Sequence, residues 1–213
     1  MESDDTLIDM ISMRATLCHC VAFALVAFLP GPLLAQEYHI ARSRENRVVF
    51  ISRAPIDEFE GITHLIDGYA YIEGDSGLVA GADYTGSELY FEVELNGLDT
   101  GIRLRDRQMR DDYLETDRYP YATYSAAIES VELSSGGEQT INASGTFSVH
   151  GVERPLQISC NSVAAGAGYR VRCGFEVLLS DYNIRRPSLM FLKLSDTIRL
   201  QLDFYLKPVD AEQ

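Results

Sequence analysis

Alternation of apolar and polar residues recurs from about residue 47 to the end of the chain, with no long helical period between the runs. Leu89, Phe91, Val93 and Leu95 fall on one side of such a run, and Glu88, Tyr90, Glu92 and Glu94 on the other. Ile141, Ala143, Phe147 and Val149 repeat the pattern, as do Ile198, Leu200, Leu202, Phe204 and Leu206. Successive side chains of a strand point to opposite faces, so each run has one dry face and one wet face. Residues 47–53, 64–74, 87–96, 121–131, 138–149, 155–162, 169–179 and 196–206 read as eight antiparallel strands, separated by turn signals such as Ser134-Ser135-Gly136-Gly137 and His150-Gly151. Eight half-dry strands without a covering helix bury their dry faces against one another, in a closed barrel or a sandwich. The pattern alone does not choose between the two.

The first 35 residues do not belong to this scheme. Arg14, the apolar run 21–29, Pro30-Gly31-Pro32 and Leu33-Leu34-Ala35 follow the order of a secretory signal, with cleavage expected after Ala35. The run is shorter than the roughly 20 apolar residues of a membrane span, so no transmembrane segment is expected in the mature chain. Glu2, Asp4, Asp5 and Asp9 precede any basic residue, which places the expected translation start at Met10 or Met13. Residues 36–213 then form one domain. Losing one basic and four acidic residues with the leader takes the net charge from −14 to −11. Such a surface disfavours nucleic acid and anionic headgroups as partners.

Cys18 and Cys20 leave with the signal, and Cys160 and Cys173 remain. Leu156, Ile158 and Cys160 alternate along one strand and Cys173, Phe175, Val177 and Leu179 along the next, with residues 164–168 as the turn. A hairpin centred between Gly166 and Ala167 sets residue 160 opposite residue 173, within disulfide reach. The spacing therefore predicts a Cys160–Cys173 disulfide and an oxidising compartment. There is no CxxC pair and no histidine nearby to suggest zinc.

Two connections are long, 97–120 and 180–195. The first suggests a short helix over 104–116, with Arg105, Met109 and Leu114 near one face and Pro120 stopping it. Asp106, Asp111, Asp112, Glu115 and Asp117 alternate with Arg103, Arg105, Arg107 and Arg110, a pattern of surface ion pairs rather than a catalytic carboxylate cluster. The second carries Leu189, Met190, Phe191 and Leu192, an apolar run that either packs across a barrel end or offers a surface to a protein partner. Signatures of nucleophilic, metal or phosphate chemistry are missing, and His39, His64 and His150 lie on three separate elements. No enzyme, metal or cofactor is expected. The inward Phe91, Val93, Phe147, Phe175, Val177 and Phe204 either fill a dry core or surround a ligand, and the small Ala143 and Gly145 favour room inside.

Across nearly the whole of residues 38–206 the chain resembles the YceI-like family of secreted bacterial proteins. The resemblance is carried by Leu98-Asp99-Thr100-Gly101, Arg105-Asp106 with Met109-Arg110, and Tyr119-Pro120. Gly145-Thr146-Phe147, His150-Gly151-Val152, Pro155-Leu156 and Ser180-Asp181-Tyr182 continue it in the same order. It implies a lipocalin-like eight-stranded antiparallel barrel with the helical insertion between strands 3 and 4. It also implies a periplasmic protein holding an isoprenoid chain, a quinone or polyprenyl lipid, in the barrel. Arg105, Asp106 and Met109 are then expected at the mouth beside a headgroup, and the inward aromatic and valine side chains along the tail. The chain departs from many members in carrying Gln108 where they have a histidine, and in lacking a histidine in Ser52-Arg53-Ala54-Pro55-Ile56. The rival expectation is a non-enzymatic envelope stress or assembly protein acting through residues 189–192.

Overall fold

The computed structural model describes residues 35–53, 58–74, 77–189 and 192–209. Residues 1–34 of the signal-like segment and Ala54-Pro55-Ile56 lie outside them, while Ala35, the last residue of that segment, opens β1. In chain order the elements are β1 (Ala35–Ile40), β2 (Arg47–Arg53), β3 (Glu58–Thr63), β4 (Ile66–Glu73), β5 (Glu88–Glu94), α1 (Arg103–Gln108), β6 (Tyr121–Leu133) and β7 (Gln139–Val149). They continue with β8 (Val152–Ala165), β9 (Gly168–Leu178), the two-residue strands β10 (Ser188–Leu189) and β11 (Leu192–Lys193), and β12 (Thr197–Pro208). No described helix is long and apolar enough to cross a membrane.

The strands form an antiparallel ring, β1-β4-β5-β6-β7-β8-β9-β12, closed by the pairing of β12 with β1. This is the eight-stranded barrel rather than the sandwich. β2 runs along the same edge of β12 as β1, and β3 pairs with β2 just as β4 pairs with β1. Two of the eight staves are therefore long strands with an interruption, and each was legible only in part. The 35–40 and 58–63 segments are missing from the expected strands because they carry too few large apolar residues to alternate visibly. Asn46 bridges the first interruption: its amide nitrogen donates to Ala41 O at 2.7 Å and its oxygen accepts from Tyr205 N at 3.2 Å. A side-chain amide there replaces a lost rung of the ladder, and it is buried.

Inside, the alternation holds strand by strand, and buried residues form two clusters stacked along the barrel axis. One end is sealed by the connection between β4 and β5. Its Leu78 and Tyr84 are buried, the Tyr169 hydroxyl accepts from Leu78 N at 3.2 Å, and Gln139 donates to Leu78 O at 3.0 Å. Tyr38 and Tyr169 meet edge to face at 5.5 Å beside it. Burial, with Tyr169 adjoining, pushes the Tyr38 phenol well above its ordinary pKa, so it stays neutral.

Two expectations need correction. Gly145 does not make room inside the barrel: a Cβ there would lie 2.1 Å from Ser125 O, so its hydrogen lets β6 and β7 approach closely. The insertion is also not one helix ended by Pro120. α1 passes into a π-helical turn, Met109–Leu114, which ends at Glu115 in the left-handed conformation, φ 48°.

The β8–β9 hairpin turns at Gly166-Ala167 and pairs Cys160 with Cys173 in direct register, and the two are joined as a disulfide with Cα atoms 4.3 Å apart. That spacing belongs to a non-hydrogen-bonded antiparallel pair, the one in which side chains come closest. Reduction is expected to lower unfolding stability by about 2–3 kcal/mol, the value for a loop of this length. Urea unfolding with and without reductant measures it, and an unchanged midpoint would contradict the prediction.

Candidate functional site

The inward faces do not fill the barrel. A chamber of about 130 Å³ lies in the lumen, and a vestibule of about 540 Å³ opens from it at the end opposite the tyrosine seal. The two share Phe50, Leu95, Leu98, Ala122, Phe147 and Leu200, so they adjoin at a neck walled by these side chains. The vestibule is in the size range of ordinary small-molecule sites.

Phe91, Val93, Phe175 and Phe204 line the chamber, Phe147 lines the neck, and Val177, Arg105 and Met109 line the vestibule. Asp106 lines neither. Its carboxylate accepts from Thr100 N at 2.9 Å and from the Thr100 hydroxyl at 2.5 Å, with the side chain buried. The same hydroxyl accepts from Arg105 Nε at 2.8 Å, and Arg105 Nη2 donates to Thr100 O at 2.7 Å. Asp99 bonds Ile62 in both backbone directions at 2.9 Å, tying this turn to β3. Leu98-Asp99-Thr100-Gly101 and Arg105-Asp106 are thus one knot that fastens the start of α1 to the barrel wall. Arg105 also lies 4.4 Å over the Phe59 ring, an apolar stem and cation held at the rim.

The remaining helical charges divide. Arg107 pairs with Asp111 at 3.4 Å on the exposed face, as the interleaved pattern suggested, whereas Arg110 donates to Asn96 O at 3.1 Å. Beyond α1 the π-helical turn re-aims the chain so that Met109, Tyr113 and Leu114 all reach the vestibule. Ile102 and Leu104 form an exposed apolar lip, 52% and 67% exposed. Across the mouth, Tyr182 and Ile184 follow β9. His150 clasps the two sides: its Nδ1 is 3.1 Å from Tyr182 O, its Nε2 is 3.5 Å from Glu115, and its ring meets that of Tyr119 at a tilt, centroids 4.9 Å apart.

Several lining residues escaped the sequence reading. Phe50 and Ser52 alternate visibly along β2, but Leu98, Tyr182 and Ile184 lie in connections without period. Tyr124, at the chamber wall, donates to Leu156 O at 3.1 Å, and burial, then the nearby Glu129 charge, push its pKa up to about 12. Among the described residues there is no group of three or more His, Cys, Asp or Glu placed to hold a metal ion. In the 180–195 connection Leu189 pairs with Leu192 across β10–β11, and Met190 and Phe191 lie outside the described residues.

An antiparallel up-and-down barrel with an apolar lumen, sealed at one end and open at the other, is the lipocalin-like class of small β-barrel. Residues 43–206 match the model of the YceI-like domain, and the chain belongs to that family. A UPF0312 protein of Pseudomonas savastanoi pv. phaseolicola is 28% identical over 190 residues, covering 82% of this chain and 88% of its own. Among solved structures, a polyisoprenoid binding domain from Saccharophagus degradans implicated in plant cell wall breakdown superposes with a TM-score of 0.60 at 17% identity. That match covers 83% of this chain and 99% of the domain. Burkholderia cenocepacia BcnA gives 0.59 at 15% identity over 75% of this chain and 95% of its own. At these identities the likeness is one of fold.

The Thr100 knot carries a pH signature. Burial alone would raise the Asp106 pKa, but the hydrogen bonds from Thr100 and the Arg110 and Arg105 charges outweigh it and hold the carboxyl below the usual range. A depressed folded pKa adds stability that is present above the unfolded value, about 3.9, and lost as pH falls through the folded one. Asp106→Asn is expected to cost about 1–2 kcal/mol at pH 7, and the gap from the parent should shrink below about pH 3. Urea unfolding at both pH values checks this; equal stabilities at pH 7 would contradict it.

Proposed function

We propose that this protein is a periplasmic carrier or sensor that holds the isoprenoid chain of a quinone or polyprenyl lipid inside its barrel, without chemical turnover. The observation that carries the reading is the pair of adjoining apolar spaces, vestibule and chamber, the inner of which meets almost no polar atom. A lumen of this kind cannot satisfy a polar ligand's hydrogen bonds, and desolvating such a ligand would be costly. A branched hydrocarbon chain has no such cost and contributes about 0.8 kcal/mol for each CH₂ removed from water. Three or four isoprene units then outweigh typical association costs. The likeness to a polyisoprenoid binding domain supports the same ligand class.

The mouth supports the orientation. Arg105, whose guanidinium lies over Phe59, Gln108 of α1 and Tyr113 bring polar side chains to the vestibule lining. A headgroup would sit among these with the tail pointing to the tyrosine seal. The leader-like N-terminal segment and the Cys160–Cys173 disulfide support an oxidising compartment outside the cytoplasm.

Ala122 lies at the neck and lines both spaces. Ala122→Trp is expected to fill the neck and weaken binding of geranylgeraniol at least about tenfold while leaving the β-sheet circular dichroism unchanged, a loss of about 1.4 kcal/mol. Unimpaired binding by a folded variant would count against the lumen as the site.

A further inference from the structure

We propose that the barrel grips only the first three to four units of a prenyl chain, and that the contact between Phe91 and Phe204 sets the limit. This rests on the isoprenoid reading above. Phe91 projects from β5 and Phe204 from β12, strands separated around the ring by β4 and β1. Their rings nevertheless lie with centroids 5.3 Å apart. Side chains on neighbouring strands touch as a matter of course; rings from strands three places apart touch only by reaching across the lumen. Phe204 is 2% exposed and among the largest fully buried side chains, which anchors one half of the bridge.

The space left around this bridge is the 130 Å³ chamber. A cavity of about 150 Å³ in a protein core holds one benzene. An isoprene unit has five carbons where benzene has six, so the chamber takes about one unit. By the same measure the 540 Å³ vestibule takes three or four such groups, one of them the headgroup. Among the described residues, the far end is covered by Leu78 and Tyr84 of the β4–β5 connection. Gly77 sits so close to the seal that a Cβ there would fall 2.5 Å from the Tyr38 hydroxyl and 2.8 Å from that of Tyr169. Beyond about four units, added chain stays outside the barrel and contributes nothing to binding. The barrel therefore grips about three to four prenyl units, and a longer chain binds no more tightly than a four-unit one.

The test is competitive displacement of a fluorescent farnesyl probe by unlabelled all-trans prenols of two to eight units, with the parent protein and the variants Phe91→Ala and Phe204→Leu. For the parent, affinity is expected to rise about fivefold or more with each unit up to about four and then to stay level within about twofold. Phe91→Ala should move that break at least one unit longer. Phe204→Leu keeps the core filled and should move it in the same direction, so the test stands if the first variant fails to fold by circular dichroism. Affinity that keeps rising through eight units, or a break that stays put in every folded variant, overturns the length limit alone. Failure of the parent to bind any prenol or the probe overturns the isoprenoid reading with it.

Discussion

The pairing of β12 with β9 along one edge and with β1 and β2 along the other turns an alternating sheet into a vessel. Without that closure the same dry faces would need a second sheet or a helix to cover them. With it, Phe91, Phe147, Phe175 and Phe204 face one another across a common axis, and the period of two becomes the difference between lumen and solvent. The closing strand is reinforced outside: Arg170 binds Asp203 through two bonds of 2.7 and 2.6 Å, and Arg172 adds a third contact at 3.4 Å. The Arg170 hydrogen bonds and charge hold the Asp203 carboxyl below its usual range.

Closure makes the interior, but the connections decide that it is a site. One end is plugged by Leu78 and Tyr84 with a ring of tyrosine hydroxyls that bond one another or the backbone. The other end is propped open by the insertion between β5 and β6. Its knot at Thr100 fixes where α1 starts, and its π-helical turn swings Met109, Tyr113 and Leu114 over the mouth instead of into the lumen. An uninterrupted α-helix would have kept its apolar stripe along one line. The departure from regular geometry is thus what gives the vestibule a roof and leaves its side open.

Strand count, the insertion's place and the Cys160–Cys173 bond were legible because each follows from period or from symmetric counting about a turn. Residues 35–40 and 58–63 were not, since Gly61 and Thr63 occupy inward positions where a large apolar residue would have signalled a strand. Within the site, Phe91, Val93, Phe175 and Phe204 were legible from alternation alone. Asp106 shows the limit of such reading. An acidic residue beside an arginine near a barrel mouth resembles a headgroup contact, yet its oxygens are committed to Thr100, six residues back, in a fold-specific turn that no period announces. Gly145 fails differently, because a missing side chain can serve a cavity or a close strand approach, and only the β6–β7 spacing decides.

If the proposed function is right, an isoprenoid chain occupies the lumen in the living cell. Native mass spectrometry of the protein purified from its own host, followed by solvent extraction, addresses it directly. A discrete added mass that extracts as an isoprenoid is the expected result. A bare polypeptide mass, with no uptake of added quinone or prenol, would contradict it.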